Sequence, residues 1–243
     1  NKKGQLESRG NFKDGKKDGL WDFFHENGQL KSKGNYKDGK KIGVWEYFDE
    51  NGLFSRGNYK DGVLDGLVEW FYENGQVEER GTYRDGIEGG LQERFDENGQ
   101  LKSRGNIKDG KRTGIWELSL LENSQFKKRG NYRDGKQNGV WEFTDKNDKV
   151  LGRGNVKDGE QNGVWEYFNE NGQLNERGNL RDGKRTGIWE FFYENGQVKE
   201  RGNYKDGKED GIYEKFYENG QTEVILYYIN GKKVKRKKYL KRK

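Results

Sequence analysis

Apolar residues recur along this chain in short alternating runs, rich in aromatics, that are separated by glycine-bearing turn signals at an interval of about 24 residues. The unit reads roughly G-Q-L-K-x-R-G-N-Y-K-D-G-K-x-x-G-x-W-E-x-F-x-E-N. One glycine recurs at Gly10, Gly34, Gly57, Gly81, Gly105, Gly130, Gly154, Gly178 and Gly202. The glycine of an Asp-Gly pair recurs from Gly15 to Gly207, and a third follows four residues later, from Gly19 to Gly211. Nine units are legible, with one residue deleted near Gly52 and one inserted near Leu120.

Each unit carries two turn signals, Asp-Gly and Asn-Gly. Both dipeptides favour two-residue type I′ loops, because both central residues need φ > 0. The intervening segments of six to eight residues have strand length. A helix is a poor alternative, since each interior glycine costs it about 1 kcal/mol. The pattern predicts an all-β fold: an elongated, twisted, single-layer antiparallel sheet of tandem hairpins. About eighteen strands spaced ~4.8 Å apart would extend roughly 85 Å before twist. The array is expected over residues 1–231, its last unit, 212–231, being a capping hairpin. Leu226 there replaces the repeated glycine, as suits a closing element. A basic tail, 232–243, follows.

Register follows from the loops. A two-residue loop at Asn171-Gly172 sets Glu166 opposite Arg177 and Trp165 opposite Gly178. The same count sets Trp189 opposite Gly202, Glu190 opposite Arg201, Trp21 opposite Gly34 and Asp22 opposite Lys33. One face is thus expected to lay an indole over a bare glycine of the neighbouring strand, and the other to carry acid–base pairs. Trp21, Trp45, Trp116, Trp141, Trp165 and Trp189, with Gly34, Gly178 and Gly202, are read as structural. Trp165, Tyr167 and Leu174 share one face; Val164 and Phe168 point to the other. In the third and fourth units Val68 and Gln92 replace Trp, which suggests softer segments. Burial per unit is small, so each repeat depends on its neighbours.

Composition sharpens this. Only 28% of residues are hydrophobic, half of that share aromatic, and 37% are charged, which rules out a thick aliphatic core. Such a balance resembles a disordered chain, yet the aromatics fall at fixed spacing, which argues for order. With no Cys, neither disulfides nor thiolate sites are available. The chain lacks Met and begins at Asn1, which reads as a mature form or a fragment, and no apolar run approaches a bilayer span. Compartment stays open between cytoplasm and cell surface. The net charge of +6 is uneven: nine Lys or Arg lie in 232–243, which leaves 39 basic against 42 acidic residues in 1–231.

The run Gly34-Asn35-Tyr36-Lys37-Asp38-Gly39-Lys40-Lys41-Ile42-Gly43-Val44-Trp45, followed by Glu-Tyr-Phe-x-Glu-Asn-Gly, resembles the bacterial variant of the MORN repeat. The resemblance covers residues 4–231; the ordinary unit has glycine where this one has Trp45. It implies an extended sheet of hairpins serving as scaffold, dimerisation module or protein-binding platform. It also implies antitoxin-type or cell-surface roles, and membrane association in some members. It offers no catalytic residues.

The candidate chemistry is correspondingly spare. His25 is the only histidine, so no ligand set or triad forms around it. The carboxylates occupy repeated positions, and a catalytic pair should be an exception. No helix follows D-G-K-x-x-G, which reads as turn chemistry rather than a phosphate loop. No enzyme activity, cofactor, metal or small-molecule substrate is expected. The row Phe24, Phe48, Phe71, Phe95, Phe168, Phe192 and Phe216 is the candidate partner-binding surface, since a single-layer sheet has no second layer to cover it. A partner protein, a second copy or Lys and Arg stems must do so. Lys37, Lys40 and Lys41 mark the Asp-Gly edge as basic, and Glu26, Glu50, Glu73, Glu97, Glu194 and Glu218 the Asn-Gly edge as acidic. Lys232, Lys233, Lys235, Arg236, Lys237 and Lys238 are candidate contacts for anionic lipid; nucleic acid is a weaker expectation because only Tyr239 is interleaved. Carbohydrate binding by exposed aromatics is a further alternative.

Overall fold

Every regular element among the described residues is a strand. The computed structural model describes residues 5–120 and 125–238, without the side chain of Lys238. The chain divides into two compact units, residues 1–124 and 125–243. The first holds β1 (Ser8–Lys13), β2 (Lys16–Phe24), β3 (Leu30–Lys37), β4 (Lys40–Asp49), β5 (Gly52–Lys60), β6 (Val63–Phe71), β7 (Val77–Arg84), β8 (Ile87–Phe95), β9 (Leu101–Lys108) and β10 (Lys111–Ser119). The second holds β11 (Phe126–Arg133), β12 (Lys136–Asp145), β13 (Val150–Lys157), β14 (Glu160–Phe168), β15 (Leu174–Arg181), β16 (Lys184–Phe192), β17 (Val198–Lys205), β18 (Lys208–Phe216), β19 (Thr222–Ile229) and β20 (Lys232–Lys238). Within each unit every strand pairs antiparallel with the next, which makes an open single-layer meander of tandem hairpins.

The two turn types differ from each other. At Asp-Gly both residues are left-handed, as at Asp38 (φ 50°) and Gly39 (φ 80°), which is the two-residue type I′ loop expected. At the Asn-Gly turns within the repeats only the glycine is left-handed, as at Gly172 (φ 79°). Gly172 N–H donates to Asn169 O at 2.8 Å, and Asn169 N–H to Gln173 O at 2.9 Å. This is a three-residue loop, a type I turn ending in a glycine bulge. The closing pair is therefore Asn169 and Gln173, and the two-residue reading is corrected. Asn169 Oδ1 accepts from the N–H groups of Asn171 and Gln173, which stabilises the longer loop.

The register near the tryptophans is nevertheless the expected one, because a second irregularity cancels the first. Trp165 pairs with Gly178, Glu166 with Arg177 and Tyr167 with Glu176; then the ladder slips by one and Phe168 pairs with Leu174. The slip places Leu174 on the face of Phe168, not with Trp165 and Tyr167 as the sequence suggested.

At the turn around Lys146 and Asn147 the left-handed position is held by Asp148 (φ 62°) where seven of the other repeats have glycine. Its ion pair with Lys127 is solvent-exposed and offsets little. Asp148→Gly is expected to raise the stability of the second unit by about 0.5–1 kcal/mol, measured by urea unfolding.

The third glycine has a role that the sequence did not disclose. One residue on β13, Asn155, faces three on β14, Asn162 to Val164, because Gly154 pairs with Trp165 but Val156 with Gln161. Gly163 (φ 82°) makes this bulge. Its counterparts from Gly19 to Gly211 are all left-handed.

The segment read as a tail continues the sheet. Asn230 (φ 49°) and Gly231 (φ 79°) form another type I′ turn, and β20 pairs with β19 from Ile229–Lys232 to Val224–Lys238. The capping hairpin thus extends past residue 231, and 239–243 lie outside the described residues. The Asn-Gly pair was the available signal; lysine's low strand propensity masked it.

Candidate interaction surfaces

Each sheet has one face closed by its own side chains. Trp45, Trp116, Trp141, Trp165 and Trp189 are fully buried, and Trp21 nearly so. The indole of Trp165 lies on Gly154 of the preceding strand: a Cβ added there would stand 2.3 Å from Trp165 Cδ2. Gly178 meets Trp189 in the same way, Gly34 meets Trp45, and Gly202 meets Tyr213. This corrects the expected cover. Trp165 and Gly178 are paired across β14 and β15, but the ring leans to the other neighbour. The bulge gives the reason, since it leaves the Asn155 carbonyl to accept the Trp165 Nε1–H at 2.8 Å. The same bond joins Trp21 to Asn11, Trp45 to Asn35, Trp116 to Asn106, Trp141 to Asn131 and Trp189 to Asn179.

A cation closes several of these stacks. Lys17, Lys41, Arg112 and Arg185 lie 4.5, 4.3, 4.1 and 4.3 Å from the ring centroids of Trp21, Trp45, Trp116 and Trp189. Lys41, assigned from sequence to the basic edge, is half-buried over Trp45 instead. Its ammonium is held below the usual lysine range by burial and by Lys17. Burial, reinforced by the hydrogen bond with Tyr59, pushes the Tyr47 phenol up.

At the C-terminal end Tyr213 stands where six other units have Trp, and its hydroxyl donates to Glu200. Burial raises the Glu200 pKa, but the bonds from Tyr213 and Lys215 outweigh it, and the net direction is down. A carboxyl with a folded pKa below its unfolded value stabilises the fold above that unfolded value. The contribution is lost as pH falls through the folded value. Glu200→Gln is therefore expected to flatten the pH dependence of the second unit's stability below about pH 4.5, as followed by thermal unfolding at several pH values.

The opposite face carries a charge ladder whose register is the expected one, Glu166 facing Arg177, Glu190 facing Arg201 and Asp22 facing Lys33. Each ion pair, however, closes toward the other neighbouring strand. Arg153 reaches Glu166 at 2.8 Å, Arg177 reaches Glu190 at 2.8 Å, and Lys33 reaches Glu46 at 2.8 Å. The candidate Phe row lies beneath these cations. Arg9, Lys33, Arg56, Arg80, Arg153, Arg177 and Arg201 stand 5.3–5.7 Å above Phe24, Phe48, Phe71, Phe95, Phe168, Phe192 and Phe216. All seven phenylalanines are half-buried. Arg and Lys side chains lie over this row and leave its rings only partly open to solvent.

The apolar surface on that face is a different row. The residue before each Trp position is always a branched aliphatic: Leu20, Val44, Leu67, Leu91 and Ile115 in the first unit, Val140, Val164, Ile188 and Ile212 in the second. All are exposed, from 47% at Leu67 to 58% at Leu20. Between successive members lies an asparagine or, beside Leu67 and Ile212, Thr82 and Tyr227. The stripe therefore recurs every second strand, about 10 Å. Its signal, one aliphatic at one repeat position, was present in the sequence, but only Val164 was placed on this face.

His25 Nε2 lies 3.0 Å from Phe48 O, and the hydroxyls of Tyr72 and Tyr193 donate to Phe95 O and Phe216 O in the same way. The position ties one Asn-Gly loop to the next hairpin. No grouping of His, Cys, Asp or Glu among the described residues could hold a metal ion. No helix among them is long and apolar enough to cross a membrane, which leaves strand-built spans unaddressed.

Three comparisons bear on this geometry. A family model described as the MORN repeat variant matches residues 17–38, 41–61, 64–85, 88–109, 161–182, 185–206 and 209–230. No curated protein matches the chain. Among solved structures, an S. aureus TarM mutant in complex with fondaparinux, alpha-GlcNAc-glycerol and UDP is similar at 16% identity and a TM-score of 0.30, over 39% of this chain and 19% of that one. A second TarM structure gives 16% and 0.28, over 38% and 20%. The GtfA/B complex gives 17% and 0.21, over 48% and 20%. The chain spans about a fifth of each of those proteins, and likeness this partial carries no functional inference. The seven family matches cover more than half of the chain and coincide with the hairpins described above, so the chain belongs to the MORN repeat variant family.

Proposed function

We propose that this protein is a non-catalytic repeat scaffold that binds another protein, or a second copy of itself, through an extended sheet surface. MORN-variant repeats are generally non-catalytic, and an open all-β array fits a scaffold. The observation that carries the reading is the exposed aliphatic stripe. The Trp row is buried and the Phe row half-buried, whereas this row meets water at every repeat.

The test keeps the strand former and removes the apolar methyls: Val44→Thr, Val140→Thr, Val164→Thr and Ile188→Thr together. Sedimentation velocity reads self-association, and crosslinking in cells of the source organism reads bound proteins. Loss of the complexes by a variant with unchanged circular dichroism supports the scaffold. An identical set of complexes removes the stripe from it.

A second reading rests on β20. Lys232, Lys233, Lys235, Arg236 and Lys237 are exposed on a strand that contains no acid. We infer that this strand contacts anionic lipid head groups. Sedimentation with phosphatidylserine vesicles should carry the full chain down, and should fail after Lys232→Glu, Lys233→Glu and Lys235→Glu. Equal sedimentation of both forms removes this reading. The six tryptophans of the repeat position are buried and present no stacking face to a sugar.

A further inference from the structure

Repeats three and four break the pattern at several positions at once, and the breaks meet at one concavity. The residue after the Asp-Gly pair is Lys or Glu in the other units but Val63 and Ile87 here, exposed by 45% and 63%. The next position, which elsewhere supplies the caps Lys17, Lys41, Arg112 and Arg185, is Leu64 and then Glu88. Glu209, the one other acid at that position, keeps Lys208 before it and Asp210 after it. Glu88 instead stands between Ile87 and Gly89. No backbone demand explains Gly89: it is not left-handed, and a Cβ there would find its nearest neighbour, Ile107 O, at 3.8 Å. The other units carry Asp, Asn, Thr or Ile at this place.

The missing side chain opens a hollow of about 700 Å³ lined by Tyr83, Ile87, Glu88, Gly89, Gly90 and Ile107, with Arg84, Asp85, Lys108 and Asp109 also bordering it. Gln92, buried where the other units place an aromatic or Val68, donates to Glu88 at 2.8 Å and to Glu79 at 2.9 Å. Arg94 is committed to Glu79 at 2.8 Å. Glu88 makes no ion pair with any described residue. The repeat forfeits an indole's burial over Gly81, where an added Cβ would now stand 3.2 Å from Glu88 Oε1. The acid at a position that is cationic in four other units, the lost side chain at Gly89 and the polar Gln92 in place of an aromatic thus fall together at one concavity. Departures from a repeat's own pattern gather at functional sites.

We propose that this hollow docks an extended segment of a partner protein that presents an aliphatic side chain followed by lysine or arginine. The aliphatic group fills the space beside Ile87 and Ile107, and the cation pairs with Glu88. The proposal names a partner class for the scaffold reading and rests on it.

The probe is the blocked peptide acetyl-Ser-Leu-Lys-Ser-amide, titrated into the full chain with isotope-labelled isoleucine methyls. Shifts at Ile87 and Ile107 that saturate, and that are at least about fivefold weaker for the Leu-Glu counterpart, are expected. Gly89→Asn and Glu88→Lys each restore residues found at the same place in other repeats, such as Asn162 and Lys41. Both variants should fold and lose the shifts. Equal response to both peptides, shifts that survive both variants, or no shift at all overturns the proposal. The threonine stripe variant should bind the peptide normally, so failure of the hollow and failure of the stripe are read separately.

Discussion

Gly154→Ala is expected to destabilise the second unit by about 3 kcal/mol or more, because the added methyl has nowhere to go. Its Cβ would stand 2.3–2.6 Å from three atoms of the Trp165 indole, and that indole is fully buried. Overpacking a rigid ring costs about 1–3 kcal/mol. Displacing the ring also breaks its bond to Asn155 O and leaves a shielded carbonyl unpaired, at about 1–3 kcal/mol. Gly89→Ala is the control: it meets nothing closer than 3.8 Å and has no left-handed backbone, so it should be near neutral. Chemical unfolding of both variants, followed by circular dichroism, checks the contrast.

Trp165→Ala should cost about 3–5 kcal/mol by removing the same contact from the other side. Trp165→Phe separates packing from hydrogen bonding, since a phenyl ring covers much of Gly154 but cannot donate to Asn155. An intermediate loss of about 1–3 kcal/mol is expected. In the Trp165→Ala background, Gly154→Ala should become nearly free, because the atoms that it would strike are gone. A coupling energy of about 2 kcal/mol or more in this double-mutant cycle identifies one shared interaction. Independent costs would place the two residues in separate roles.

Much of this architecture was legible in the residues alone. The 24-residue period, the strand between each pair of turns and the Trp165–Gly178 pairing all follow from glycine spacing and turn chemistry. The three-residue Asn-Gly loop was not legible, because Asn-Gly serves both type I′ turns and type I turns with a glycine bulge. The slip between Tyr167 and Phe168 then hid the error in the register. The side to which each indole leans depends on the bulge at Gly163, which three-dimensional pairing shows and spacing does not. The Phe row was singled out because a one-layer sheet leaves a face open. Long Arg and Lys side chains on the same face cover it, and cross-strand neighbours decide that. The hollow at Gly89 could have been found by comparing where several repeat positions change together.

Indole hydrogen exchange, resolved by nuclear magnetic resonance, tests the interlock most directly. Trp21, Trp45, Trp116, Trp141, Trp165 and Trp189 each donate Nε1–H to an asparagine carbonyl, whereas Trp70 makes no hydrogen bond through its indole with any described residue. The six should exchange at least about a hundredfold more slowly than Trp70. Seven indoles exchanging at one fast rate would contradict the account.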